Sequence, residues 1–125
     1  MILFIDGETP AKKNSRIVNT KTGRSFPSKR YSDWHKSARN IVRYQILRQE
    51  KEFEFPINQE VKIKLTFTHG DFRRRDSDNG TSSILDLLTD SEVLADDSWK
   101  IVKELYIQNE YVKGKPSCKV EIELL

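Results

Sequence analysis

The chain has 125 residues, which indicates one domain over residues 1–125, and no apolar run reaches the ~18 residues that a membrane-spanning helix needs. A single cysteine, Cys118, excludes an internal disulfide and a cysteine-cluster zinc site, and with only two histidines a bound metal would be held by carboxylates. The N-terminus lacks the basic and apolar regions of a signal peptide, so we expect a cytoplasmic protein. The net charge is +3.

The first half of the chain predicts a strand, a hairpin and a helix. Residues 2–6 are mostly apolar and predict a strand, and the polar, basic segment 10–16 predicts a loop. Gly23 lies in a turn between two short segments, 17–18 and 24–26, which is the pattern of a β-hairpin. Apolar residues recur at helical spacing in 31–48, so we expect a helix there with Ser32 as its N-cap.

The second half predicts three strands and one helix. Residues 60–68 alternate between apolar and polar and predict a strand with one buried face. Residues 79–89 predict a helix capped by Asn79 or Asp78, residues 99–107 a further strand, and residues 120–124 a last strand. The order of elements predicts an α+β fold: a single compact domain with a mixed β-sheet and two main helices packed on one face.

The charges of the chain are segregated along the sequence. Residues 1–50 hold 11 basic and 4 acidic side chains, a balance of +7, and residues 51–125 hold 11 and 15, a balance of −4. Three arginines at 73–75 are followed, from Asp76 to Asp97, by seven carboxylates without a lysine or arginine. A basic half suits a polyanion, and a divalent cation would neutralise the acids that repel one. Ordinary surface charge is the alternative interpretation.

Asp76 and Asp78 are the acids most suggestive of a metal site. They lie two residues apart at the end of a strand, so their side chains point to the same side in extended geometry. Oxygen-only ligands favour Mg²⁺, with Mn²⁺ as a possibility. Because the chain can return through the second helix to the same strand end, we expect Asp97 to complete a three-carboxylate site. Such a site activates water and holds a phosphodiester in line.

Other motifs explain these acids less well. An EF-hand loop starting at Asp76 would need Gly at position 81 and Glu at 87, where the chain has Thr81 and Leu87. A phosphatase of the Asp-x-Asp-x-Thr type would need an apolar strand before the first Asp, where arginines stand instead. Capping of the second helix remains an alternative role for Asp76 and Asp78.

The whole pattern resembles the RusA family of Holliday-junction resolvases, which are crossover junction endodeoxyribonucleases, and its phage-type members most. Three segments carry the resemblance: Arg-Arg-Arg-Asp-x-Asp-Asn at 73–79, Leu-Asp-Leu-Leu at 85–88 and Asp-Asp-Ser at 96–98. The N-terminal pattern Pro10-x-x-x-Asn14-x-Arg16, followed by Tyr31-x-x-Trp34, also fits. The resemblance covers nearly the full chain.

The resemblance implies a homodimeric, Mg²⁺-dependent endonuclease of DNA recombination and repair, without an organic cofactor. Such an enzyme binds four-way DNA junctions and nicks two strands symmetrically. Its metal-binding acids fall on Asp76, Asp78 and Asp97, with adjacent Asp96 assisting. Asn79 and Asp86 match the family pattern in the second helix, where a structural role and a catalytic role are both open.

One position departs from the family pattern. A lysine commonly follows the second Asp by four residues, and this chain has Ser82 there. A lysine would stabilise charge on the phosphate, so we expect Lys100 to take this catalytic role, with Arg75 as the next choice. We expect DNA contacts from a larger set of polar residues: Lys12, Lys13, Asn14, Arg16, Lys29, Arg30, Arg73, Arg74 and Arg75.

Two other functions stay open at this point. The first is a non-catalytic or weakly active branched-DNA-binding protein on the same fold, which Ser82 favours. The second is a nuclease for branched or flap DNA without strict four-way specificity. The presence of Asp76, Asp78 and Asp97 together favours an enzyme, because acids facing DNA do not help a binding protein. Phe26 and Tyr31 are expected to pack in the core, with stacking on opened bases as the alternative.

Overall fold

The structure is a computed structural model that describes residues 1–12, 16–49 and 52–125. Two helices and six strands follow one another along these residues. In chain order they are β1 (Ile2–Asp6), β2 (Arg16–Val18), β3 (Ser25–Pro27), α1 (Lys29–Ile46), β4 (Val61–His69), α2 (Thr81–Asp90), β5 (Val102–Tyr111) and β6 (Ser117–Leu124). Within the described residues, no helix has the length and hydropathy needed to cross a membrane.

The main sheet has four strands in the order β1-β6-β4-β5, and β2 and β3 form a separate hairpin. β6 runs antiparallel to both β1 and β4, whereas β4 and β5 are parallel. Parallel neighbours need a crossover, and α2 supplies it by carrying the chain from the end of β4 back to the start of β5. The predicted α+β fold with a mixed sheet and two helices is confirmed.

The core lies on one face of this sheet. Alternation in β4 puts Ile63 and Leu65 on the buried face, where cross-strand partners from β6 and β1 continue the layer. Ile84 and Leu87 of α2 and Val42 of α1 cover that layer and are fully buried. The opposite face carries exposed polar side chains and exposed apolar ones such as Phe4, so the helices occupy one side only.

Two predicted helix caps are wrong. α1 begins at Lys29, where the Ser28 hydroxyl accepts a hydrogen bond from the Tyr31 N–H, so Ser28 rather than Ser32 is the N-cap. The first two residues of the helix are charged, so the spacing of apolar residues did not predict that the helix includes them. α2 begins at Thr81 after a turn, and its N-cap is Gly80, which has no side chain to cap with.

Two predictions about aromatic residues are also corrected. Tyr31 is buried as expected, whereas Phe26 is 46% exposed on the hairpin and does not pack in the core. Trp99 lies in a turn ahead of β5 rather than in the strand, and its side chain is 72% exposed. The core prediction therefore holds for Tyr31 and is wrong for Phe26.

Gly80 allows α2 to start close to β4. A Cβ at this position would lie 2.8 Å from Cε1 of Phe67 and 2.9 Å from Cγ2 of Thr9, and both neighbours are buried. We expect Gly80→Ala to lower the free energy of unfolding by about 1–3 kcal/mol, as overpacked core substitutions do. Urea unfolding measures this change. Gly114→Ala is the comparison, because Gly114 has a positive φ and an added Cβ there would contact nothing, so only backbone strain would lower the stability. Unchanged stability in Gly80→Ala would contradict the close packing.

Candidate metal and nucleic-acid site

Asp76 and Asp78 line one open cavity of about 610 Å³ at the start of α2. The expectation that they lie in extended geometry at a strand end is wrong, because β4 ends at His69, Asp76 lies in the loop that follows, and Asp78 lies in the turn at 77–80 that leads into the helix. The Asn109 side-chain amide donates a hydrogen bond of 2.8 Å to the Ser77 carbonyl, which fixes this turn against the end of β5. Lys12 and Arg16 line the same cavity, so the two carboxylates face basic side chains across it.

Neither carboxylate has a capping role in this geometry. Among the hydrogen bonds and ion pairs of the described residues, none involves the side chain of Asp78, and Asp76 is paired only with the exposed Arg74, at 3.5 Å. Both side chains are exposed at the cavity. Two accessible carboxylates match the oxygen-ligand preference of Mg²⁺, which takes few protein carboxylates and keeps several waters.

Asp97 lies at the other end of the sheet from these acids. The segment around it is tied to the start of β4: the Ala95 N–H donates to the Ile57 carbonyl and the Val61 N–H to the Ile101 carbonyl, at 2.9 and 2.8 Å. Asp76 and Asp78 follow the end of β4, and a nine-residue strand spans about 30 Å. The expectation that the turn after α2 returns to the same strand end is wrong, because the crossover helix leads to the opposite end.

Asp96 and Lys100 are on Asp97's side of the molecule. Both line a cavity with Glu60 and Leu124, at the start of β4 and the end of β6. Hydrogen bonding from Ser98 lowers the pKa of Asp96. One chain therefore contains two separate acidic regions, and it does not bring Lys100 or Asp97 to Asp76 and Asp78.

Arg75 is held by other side chains of the protein. Its guanidinium lies 2.7 Å from a Glu8 oxygen and 2.9 Å from an Asp71 oxygen, and only 17% of the side chain is exposed. Hydrogen bonding by Arg75 lowers the pKa of Asp71. Glu8 also contacts Nδ1 of His69 at 2.6 Å, so one carboxylate joins the end of β4 to the segment before Asp76. This network orients the Asp76 segment, and Arg75 is poorly placed to bind phosphate.

The other basic residues differ in how freely they present their charge. Arg73 and Arg74 are highly exposed, and with Arg30 they line a second cavity that shares Asp76 with the first. Lys12 is paired with Asp86 at 3.1 Å, and Lys29 with Asp33 at 2.7 Å. The predicted DNA contacts Lys13 and Asn14 fall outside the residues that the structure describes.

A second polar cluster between α1 and α2 was not found from the sequence. Ligand-type atoms of His35, Asp86 and Asp90 lie within 4.8 Å of one another. Each already has a protein partner, since His35 Nε2 contacts Asp90 at 2.9 Å and the Tyr31 hydroxyl donates to Asp86 at 3.3 Å. Sequence spacing shows only i,i+4 pairs on each helix, Tyr31 with His35 and Asp86 with Asp90, and not that the two pairs meet. The cluster holds the helices together.

An α+β domain with two exposed carboxylates in an open cavity that basic side chains also line has the features of an enzyme that acts on nucleic acid. The family model for endodeoxyribonuclease RusA matches residues 6–123 of the 125. The chain therefore belongs to the RusA endodeoxyribonuclease family, whose activity is that of Holliday-junction resolvases, and it is an endonuclease that acts on DNA. A search of curated proteins found no match to the chain.

Proposed function

We propose that this protein is a Mg²⁺-dependent, homodimeric endonuclease that resolves four-way DNA junctions by paired symmetric nicks in recombination and repair. The observation that carries the proposal is the pair of accessible carboxylates, Asp76 and Asp78, in a cavity shared with Lys12 and Arg16. Because the substrate is DNA, we expect the enzyme to act in the cytoplasm. Phage-type membership of the family belongs to the same proposal.

Asp76 and Asp78 would hold the cation from one side of the cavity. Mg²⁺ bound there would supply the Lewis-acid chemistry that activates water for attack on a phosphodiester. The protein's own part is to position the DNA strand. Lys12 and Arg16 bind backbone phosphate on the facing wall, and the Glu8–Arg75 ion pair keeps the Asp76 segment in place.

The exposed apolar face of the edge strand β5 favours a homodimer, in which a second copy of the chain would supply the rest of the site. Leu105 and Ile107 pair in register with the buried Ile63 and Leu65 of β4, yet they are 39% and 37% exposed because nothing covers them within the described chain. Tyr111 extends this surface, and the ring of the exposed Phe72 lies against it with a centroid separation of 3.9 Å and a tilt of 31°. An apolar face on an edge strand with unpaired backbone groups favours association with another chain.

Symmetry accounts for how a second copy would complete the acidic site. A twofold axis perpendicular to β5 aligns the strand antiparallel to its copy, so the start of one β5 lies beside the end of the other. Asp97 precedes β5, whereas Asp76 and Asp78 sit next to its end. Asp97 of the partner subunit would then approach Asp76 and Asp78, with Asp96 of the partner subunit adjacent. Two such sites would make the paired nicks.

Lys100 would reach the same composite site from the partner subunit. It follows Asp97 by three residues and is exposed. We expect Lys100→Ala to slow single-turnover cleavage by on the order of 10²–10³, the usual cost of one positioned charge, and to weaken junction binding far less. Because Ser82 lines the Asp76 cavity, Ser82→Lys added to Lys100→Ala should restore part of the rate. An unchanged rate in Lys100→Ala would remove this residue from the catalytic set and leave the carboxylate assignment intact.

The direct test of the proposal uses a labelled four-way junction and a linear duplex of matched sequence, each with Mg²⁺, with Mn²⁺ and in EDTA. We expect two symmetric nicks in the junction, none in the duplex, and none in either without a divalent cation. Binding without cleavage under all conditions would contradict the enzyme. A flap substrate of matched sequence is tested under the same conditions, and equal cleavage of the flap and the junction would contradict four-way specificity.

A further inference from the structure

The β2–β3 hairpin presents apolar side chains to solvent beside the Asp76 cavity. All six of its strand residues are exposed, and Ile17, Val18 and Phe26 are 45%, 60% and 46% exposed. Ile17 and Phe26 are direct cross-strand partners, so both side chains lie on one face of the hairpin. A hairpin of this size is only marginally stable in water, and a cross-strand pair that stays exposed adds about 0.2–1 kcal/mol, less than burial of the same side chains would give.

The hairpin is nevertheless fixed in shape by its own hydrogen bonds. The N–H groups of Asn19 and Gly23 donate to the carbonyls of Arg24 and Asn19, both at 2.8 Å, and close the turn. On the other face, the Arg16 guanidinium donates to the Ser25 hydroxyl at 3.0 Å and to the Ser25 carbonyl at 2.9 Å. The Ile17–Phe26 pair is therefore presented on a defined scaffold.

The charge around this pair indicates what covers it. Residues 9–32 contain seven basic side chains and no acidic one. A basic segment attracts a polyanion, whereas an identical basic segment from a second chain would be repelled. Arg16 also lines the cavity of Asp76 and Asp78, which connects one face of the hairpin to the proposed cleavage site.

We infer that the β2–β3 hairpin is a wedge that stacks Phe26, backed by Ile17, on an unstacked base at the branch point of a DNA junction. This inference rests on the proposed function. Aromatic and apolar side chains recognise bases that have left the helical stack, and a continuous duplex offers none. Arg16 binds phosphate on the opposite face of the hairpin and leads the strand toward Asp76. The wedge thus supplies selection for branched DNA, which phosphate contacts alone do not give.

The test compares junction and duplex affinity in EDTA, where the proposed cleavage cannot occur. Phe26→Ala should weaken junction binding by about 5- to 100-fold, the cost of one lost stacking contact, with duplex binding unchanged. Phe26→Trp should keep junction affinity, and its added emission should be quenched by the junction and not by the duplex. The matched control is Phe4→Ala, which removes an exposed phenylalanine from β1 on the uncovered face of the sheet.

The binding and sedimentation results for Phe26→Ala decide whether the hairpin recognises branched DNA. An equal loss for junction and duplex in Phe26→Ala, or no loss for either, overturns it. A shift of Phe26→Ala from dimer to monomer in sedimentation also overturns it, because the hairpin would then be a contact between copies. If the unmodified protein prefers junctions and Phe26→Ala keeps that preference, only the wedge fails. If the unmodified protein shows no preference, the proposed function fails and the wedge with it.

Discussion

Asp76→Asn should lower the rate of junction cleavage by on the order of 10³ or more, while junction binding is retained or becomes tighter. The carboxylate that the change removes is exposed at the cavity, and its ion pair with the exposed Arg74 is loose at 3.5 Å, so it is accessible to Mg²⁺. It also repels DNA phosphates, and its removal takes away a negative charge from the binding surface. Single-turnover cleavage and equilibrium binding of the same labelled junction measure the two effects separately.

Asp90→Asn is the matched control for this change. Asp90 is also an exposed carboxylate, but it ends α2 and is paired with His35 away from the Asp76 cavity. We expect its cleavage rate to stay within a few-fold of the unmodified protein. Near-normal cleavage by Asp76→Asn would refute the assignment of Asp76. Thermal unfolding of Asp76→Asn checks that the variant is still folded.

Ile107→Glu should convert the proposed dimer to a monomer and abolish paired nicking. The substitution puts a charge in the middle of the apolar face of β5, where burial against a second copy would cost several kcal/mol unless the carboxylate were paired. A monomer would keep Asp76 and Asp78 and would lose the partner's Asp97. Sedimentation at the concentrations used for cleavage measures the first effect, and junction cleavage the second.

Gln108→Glu provides the comparison on the same strand. It adds the same charge one residue away, on the opposite face of the sheet, where Gln108 is exposed beside Thr66. We expect this variant to remain dimeric and active. A stable monomer formed by the unmodified protein, with and without DNA, would contradict the interface on β5 and the composite site together.

The sequence was sufficient for the elements that obey a single local rule. The alternation of Val61 to Phe67 predicted β4 and its buried face, because a half-buried strand must alternate. The start of α1 was misplaced since Lys29 and Arg30 carry no apolar signal, and two serines, Ser28 and Ser32, could each have capped the helix. Local signals do not decide between two equivalent caps.

The sequence named two acids that line one cavity, but it misjudged how the chain positions them. Asp76 and Asp78 stand in the loop and turn after β4, not in extended geometry at the end of the strand. Their role as metal ligands stays a prediction. Asp97 was assigned to the same end of the sheet, but in a β-α-β unit with parallel strands the two connections to the helix lie at opposite ends. The parallel pairing of β4 and β5 is a tertiary property, so the sequence pattern alone did not reveal it.

Mixing two inactive variants tests the composite site most directly. In a heterodimer of Asp76→Asn with Asp97→Asn, one site carries both substitutions and the other carries neither. We predict that the mixture regains cleavage, as single nicks without paired resolution. The control mixture of Asp76→Asn with Asp78→Asn should stay inactive, because each of its sites keeps one substitution. Equal inactivity of the two mixtures, with subunit exchange verified by a tag, would contradict a site shared between subunits.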